Sequence, residues 1–398
     1  MTPPRRGAHV LPLIVASQFG GTSLWFAGNA VAADLAPGLA PAHAASAVQL
    51  GFIAGTLLSA RLRLADRWPA PALFCLCCLA GALLNFPVTA LAREAGGHAA
   101  AAVLAVRFAL GLTLAGIYPV GIKAAAGWYR EGLGRALGYL TAALVLGTAF
   151  PYLVRGLGAA VSWQAVLGAS SAAAALGGLA LWLGVGEGPH AARAAPEGQA
   201  GGAWSNIRRL PRLRGAALGY FGHMWELYAF WAFVPLLVAS HATLAPASPL
   251  EAARWSFAVI AAGALGCAGG GLLAARRGSA PVALAQLAVS GACCLLSPLA
   301  YGLPGPAFGV FLLVWGIAVV GDSPQFSALN ALEAPRDRVG SVVTLVNSVG
   351  FAITVASIQL LAALSAWVDA RWLMLPLALG PLAGGLAFRR AYFPRAAG

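Results

Sequence analysis

Twelve apolar runs, each long enough to cross a hydrocarbon core about 30 Å thick, divide this chain, and short polar connections separate them. Inside lipid the backbone has no water to bond with, so a run of this length is read as a helix that satisfies its own N–H and C=O groups. The spans fall near residues 10–34, 45–64, 70–92, 99–122, 133–154 and 162–186, then 213–240, 253–275, 279–302, 306–330, 340–363 and 372–393. Charged residues make up only 9% of the chain, against roughly a quarter in soluble domains. The predicted fold class is all-α integral membrane, with twelve transmembrane helices in two pseudo-symmetric six-helix halves. A polar stretch rich in Gly, Pro and Arg gives the boundaries: residues 1–186 form an N-terminal bundle, 187–212 a cytoplasmic linker with a short basic surface helix, and 213–398 a C-terminal bundle.

A duplication supports the two halves. RFALGLTLAGIYP, from Arg107 to Pro119, returns 205 residues later as LLVWGIAVVGDSP, from Leu312 to Pro324, so that Gly111, Gly116 and Pro119 align with Gly316, Gly321 and Pro324. Phe19-Gly20 likewise aligns with Phe221-Gly222 at an offset of 202. Glycine allows close helix contact and proline bends the rod, so the copies are expected to share backbone shape. They differ in chemistry: Arg107 stands opposite Leu312, and Ile117 opposite Asp322. Duplicated units that keep their packing and diverge in polar groups suit an alternating-access carrier.

The placement of charge matters more than its sum. A net charge of +13 suggests nucleic acid in a soluble chain, but here the basic residues sit between apolar spans, which argues against a nucleic-acid partner. With the N-terminus inside, 20 of the 25 Lys and Arg residues fall on the cytoplasmic side and four outside, with Arg107 left in the membrane. That asymmetry places both termini in the cytoplasm. Arg5 and Arg6 before an apolar run imitate a cleaved leader, yet the run is long enough to span and has a repeat partner, so it is read as the first helix. The six cysteines lie in apolar runs and read as small apolar fillers; neither a disulfide framework nor a metal site is expected.

At this point the chain resembles the major facilitator superfamily over its whole length. The family's signature between spans two and three is partly kept in LRLADRW, Leu62 to Trp68, with Asp66 and Arg67 present and Leu62 in place of glycine. The second-half loop, Gly271 to Gly278, keeps the glycine and Arg276-Arg277 but carries Ala275 for Asp. LAVRFALGL matches the fourth-span motif, an arginine followed four residues on by glycine, which the family associates with proton-coupled carriers. The fifth-span Gly-Pro motif of drug antiporters is approached only by Gly147 to Pro151. The resemblance implies that Asp66, Arg67, Arg276 and Arg277 act in gating.

An ionisable side chain at membrane depth costs about 2.5–3.5 kcal/mol on insertion scales, so each one needs a partner, a wet cavity or a function. Arg107, near mid-depth, is a fixed cation for a substrate carboxylate or for a protein carboxylate such as Glu226. His223 and Glu226 are three apart on one helical face, close to the midplane, and form the leading proton-binding candidate. Asp322, two residues before Pro324, is a second proton or cation site, or a stabiliser of its own helix end. Trp25, Asn29, Tyr118, Tyr228 and Asn347 are the further substrate-binding candidates. The chain lacks an ATP-binding loop and a nucleophile with a base, so an ion or substrate gradient supplies the energy; no enzymatic activity and no cofactor are expected.

The resulting expectation is a monomeric secondary transporter in a bacterial inner membrane, with a small-molecule substrate, protons and the lipid bilayer as partners. It is proton-coupled and favours an organic anion. Efflux of lipophilic or cationic compounds is the alternative, and a non-transporting sensor or assembly factor on the same fold is the rival from another class.

Overall fold

The computed structural model describes residues 7–35, 39–91, 97–129, 133–191, 202–241, 243–244, 249–335 and 338–394. Among the described residues, eleven helical stretches are long and apolar enough to cross a membrane, and the twelfth span is the broken run that begins at Val10. The chain divides into two compact units, Met1–Ala195 and Pro196–Gly398, with six spans in each.

The first unit is built from Val10–Thr22, Pro41–Leu62, Ala70–Leu91, Gly97–Leu114 continued by Tyr118–Trp128, Leu133–Arg155 and Trp163–Gly184. Its first helix packs on the fifth and sixth spans, its second on the fourth, and its third on the sixth. The second unit contains Pro211–Ser240, Pro249–Arg277, Ser279–Ala300, Gly305–Gly321 continued by Ser323–Glu333, Val339–Leu364 and a last span ending in Leu379–Tyr392. There the same scheme recurs: first on fifth and sixth, second on fourth, third on sixth.

Glycines explain why these pairs meet. A Cβ on Gly20 would strike the Ala173 carbonyl and Gly177, and one on Gly222 would strike the Gly380 carbonyl and Gly384. Gly51 and Gly111 likewise meet across the second and fourth spans of the first unit, while Gly316 lies on the Val259 carbonyl in the second. Backbone therefore rests directly on backbone at matching crossings, the small-residue mode of membrane helix packing. The aligned Gly20 and Gly222 do the same job.

The duplicated stretch fixes a shared interruption. The fourth span of the first unit breaks at Ala115–Ile117 and restarts at Tyr118-Pro119; its counterpart breaks at Asp322 and restarts at Ser323-Pro324. In both cases proline stands in the first turn, where its missing N–H costs no helical bond. The second helix of each unit ends at a left-handed residue, Arg63 (φ 53°) in the first and Gly278 (φ 83°) in the second.

The structure adds breaks within three expected spans. The run from Val10 to Asp34 is not one rod: helix Val10–Thr22 gives way to a turn at Ser23–Phe26 and two short pieces, Ala27–Ala30 and Ala32–Leu35. Hydroxyls at the break bind the carbonyls of the last turn, Thr22 Oγ1 to Gln18 O at 2.8 Å and Ser23 Oγ to Gly20 O at 2.7 Å. Such back-bonding competes with helix propagation. The spans expected at 99–122 and 306–330 are broken as described above. In the second unit the first span runs unbroken for 30 residues. The expected linker 187–212 lies partly outside the described residues; within it Ala203–Arg209 is helical and Pro211 opens the next helix. Arg5, Arg6, Arg93, Arg130, Arg193, Arg336 and Arg395, used in the orientation argument, also lie outside them.

The glycine contacts give a direct test. Gly222→Val is expected to destabilise the protein by about 1–3 kcal/mol through overpacking, seen as a lower melting temperature in detergent. Gly168→Ala, where a Cβ meets nothing within 4 Å, is expected to melt at the wild-type temperature or slightly above. Equal melting of the two variants would contradict the backbone contact.

Candidate functional site

In the first unit the buried cation is Arg107, with 1% of its surface exposed. Its Nη1–H donates to Asn85 Oδ1 at 3.1 Å, Asn85 Nδ2–H donates to Ser171 Oγ at 2.9 Å, and Ser171 Oγ–H donates to the Ala82 carbonyl at 3.2 Å. This chain orients the guanidinium without neutralising it. Nε and Nη2 have no hydrogen-bond partner among the described residues. The side chain passes against Gly28, whose lack of a Cβ makes room for it: an added one would lie 2.7 Å from Nε.

Gly28 belongs to the interrupted first span, so that break is what brings backbone to the arginine. Two other sequence candidates sit on it. Trp25 is buried with its ring tilted on Phe52 at 5.0 Å, and Asn29 Nδ2–H donates to the Pro41 carbonyl at 3.2 Å, tying the break to the next helix. Tyr118 is half-buried and opens the helix after the other interruption, eleven residues beyond Arg107.

The second unit holds two acidic groups, each with its own surroundings. Glu226, 1% exposed on Pro211–Ser240, receives three donors: Trp315 Nε1–H to Oε1 at 2.6 Å, Cys294 Sγ–H to Oε1 at 3.3 Å and Ser290 Oγ–H to Oε2 at 2.9 Å. Ser290 and Cys294 are four apart on Ser279–Ala300 and so present one face. Trp315 comes from the duplicated span and stacks on Phe230 at 4.4 Å, which fixes the direction of its N–H.

One turn along, His223 Nδ1 lies 2.8 Å from Asp322 Oδ1, and both side chains are essentially inaccessible. The contact becomes an ion pair when the ring carries a second proton. His223 is flanked by the rings of Tyr220 at 5.9 Å and Phe326 at 6.3 Å. Asp322 is also the N-cap residue of Ser323–Glu333, so its carboxylate stands at a helix start as well as against His223.

The structure thus revises the sequence-level pairing. His223 and Glu226 share a face but not a bond: His223 goes to Asp322, and Glu226 to Trp315, Ser290 and Cys294. Sequence reasoning missed these three donors. Trp315 had a faint signal, since it directly precedes the repeated Gly316, opposite Leu110. Cys294, read as an apolar filler, instead offers its thiol to a carboxylate.

The remaining candidates lie apart. Tyr228 is buried against Trp231 and Phe351, each at 5.3 Å between ring centroids, and Asn347 is half-buried on the helix that carries Phe351. Arg67, Arg276 and Arg277 are exposed at helix ends, and the side chain of Asp66 lies outside the described residues. Arg67 lines a cavity of about 310 Å³ with Lys123, Glu187 and His190. No group of three or more His, Cys, Asp and Glu able to hold a metal ion occurs among the described residues.

The His223–Asp322 contact is testable by a double-mutant cycle. Removing one partner of this buried polar contact leaves the other unsatisfied, at a cost of about 1–3 kcal/mol, so Asp322→Ala should melt below wild type in detergent. Adding His223→Ala is expected to recover part of the loss, with a coupling of about 0.5–3 kcal/mol. Strictly additive losses would mean that the two side chains are energetically independent.

Comparison with known proteins places this geometry in a wider setting. The profile of the Major Facilitator Superfamily matches residues 10–358. No curated protein matches the chain by sequence. Among solved structures, the human organic anion transporter MFSD10 (TETRAN) superposes with a TM-score of 0.69 at 16% identity, over 97% of this chain and 100% of that one. A bacterial homologue of the iron transporter ferroportin gives 0.68 at 15% identity, over 96% and 98%. The E. coli fucose:proton symporter FucP gives 0.63 at 16% identity, over 96% and 99%.

Proposed function

The chain belongs to the major facilitator superfamily, and on that premise we propose that it is a proton-coupled secondary transporter of a small organic anion, working by alternating access in a bacterial inner membrane. The observation that carries the anion is Arg107. It is a buried permanent cation whose Nε and Nη2 donors have no partner among the described residues, while Asn85 holds the guanidinium in place through Nη1. A planar carboxylate fits that edge, since a guanidinium presents two parallel N–H groups to two oxygens. A structural neighbour is itself an organic anion transporter, which is consistent with this reading without deciding the substrate.

Proton coupling is assigned to the second unit. Glu226, His223 and Asp322 are buried together in that unit and each can in principle take up or lose a proton, whereas Arg107 has no such freedom. The two units then divide the work: the first binds the anion and the second binds the proton. Asp66 and Arg67, with Arg276 and Arg277, are proposed to act at the ends of the spans as gating groups. Both termini lie in the cytoplasm in this scheme, as the distribution of basic residues implies.

Two outcomes follow. In inverted and right-side-out vesicles screened with labelled organic anions, wild-type protein accumulates substrate under a proton gradient, whereas Glu226→Gln abolishes accumulation and leaves counterflow exchange largely intact. Accumulation at the wild-type level in that variant would remove Glu226 from the coupling role. Arg107→Lys keeps the charge and loses the two-pronged edge, so apparent affinity for the transported anion is expected to fall at least about tenfold, with melting little changed. An unaltered affinity would exclude Arg107 from the substrate.

A further inference from the structure

Three donors surround the Glu226 carboxylate, and they are not equivalent. The Trp315 indole N–H can only donate, so Oε1 remains an acceptor whatever the charge on the carboxyl. A proton arriving at Glu226 therefore belongs on Oε2, and the group facing Oε2 is the Ser290 hydroxyl at 2.9 Å. That hydroxyl is also within reach of a second acceptor, the Leu287 carbonyl of its own helix at 3.2 Å. Ser290 has one hydrogen and two acceptors for it.

From this geometry, and resting on the proton-coupled reading above, we infer that Ser290 is the positioning residue for proton uptake at Glu226, a hydroxyl rotor that serves both charge states. With Glu226 ionised, Ser290 donates to Oε2. When a proton binds Oε2, the new O–H donates to Ser290 Oγ, and the serine hydrogen turns to the Leu287 carbonyl. Release reverses the sequence. Ser290 neither gains nor loses a proton, and no buried polar atom is left unpaired in either state, which would otherwise cost about 1–3 kcal/mol.

The other titratable groups near the carboxyl do not offer this exchange. Cys294 and Cys293 lie on the Ser290 helix, and Cys294 approaches Oε1, the oxygen Trp315 already occupies. His223, on the Glu226 helix, contacts Asp322 from the duplicated span, and Cys267 on Pro249–Arg277 points its thiol at the Val320 carbonyl. On the last helix Arg389 and Arg390 are exposed, and Tyr392 lies under Arg212 near the beginning of Pro211–Ser240, where Gly215 meets Ala391, more than two turns from Glu226. Val339–Leu364 carries no ionisable side chain.

The test is an acid-minus-alkaline infrared difference spectrum of the full purified chain in detergent, with pH as the only probe. The protonated carboxyl band of Glu226 is identified by its loss in Glu226→Gln. In Ser290→Ala that band is expected to move to higher wavenumber, because the carboxyl loses its acceptor, and the pH of half-development is expected to be displaced by roughly half a unit or more. Ser290→Thr should restore both, since a merely space-filling role would not depend on the hydroxyl. A Glu226 band unmoved in Ser290→Ala overturns the rotor and leaves the proton-coupled reading standing. No Glu226 band at any pH at which the protein stays folded overturns both. If Ser290→Ala does not yield folded protein, Ser290→Cys carries the same test with a weaker hydrogen-bonding group, and an unmoved band there also overturns the rotor.

Discussion

Lipid offers no hydrogen bonds, and the polar groups buried within the spans of this protein are placed under that constraint. Its consequences are visible at each buried charge. Arg107 is oriented by Asn85, which is itself held by Ser171 and, through it, by a backbone carbonyl. Glu226 gathers an indole, a hydroxyl and a thiol from two other helices. Where such partners are supplied in full, the group is fixed; where acceptors are missing, as at the Nε and Nη2 donors of Arg107, the deficit is the physical case for a ligand.

The same constraint separates what was legible in the sequence from what was not. Span number and the duplicated unit follow from long apolar runs and from repeated Gly and Pro, both local properties. The crossings at Gly20 and Gly222 were within reach for the same reason, because a glycine aligned in two copies already implies a close contact. The break after Thr22 was hidden, since Gly, Thr and Ser are tolerated inside membrane helices and only the hydroxyls' choice of carbonyls reveals the turn.

The polar partners were less legible still. His223 and Glu226 share a face by spacing, but which residue each one meets depends on how the neighbouring helices are rotated about their axes. Asp322 is 99 residues from His223, and Trp315 is 89 from Glu226. Pattern alone gives no register between spans so far apart. Cysteine and serine at Cys294 and Ser290 are also ordinary small residues in membrane helices, so nothing in their type marked them as ligands of a carboxylate.

The glycine crossings have a mechanical consequence. With no side chains between Gly20 and Gly177, or between Gly222 and Gly380, these helix pairs have no rotamers through which to slide or part by small steps. Interdigitated side chains can re-pack, whereas two backbones in contact have a single workable separation. Each pair is therefore a strut, stiff along the crossing. In the second unit His223 and Glu226 ride on such a strut, the unbroken helix that Gly222 braces, whereas Gly28 against Arg107 and Asp322 lie at interruptions.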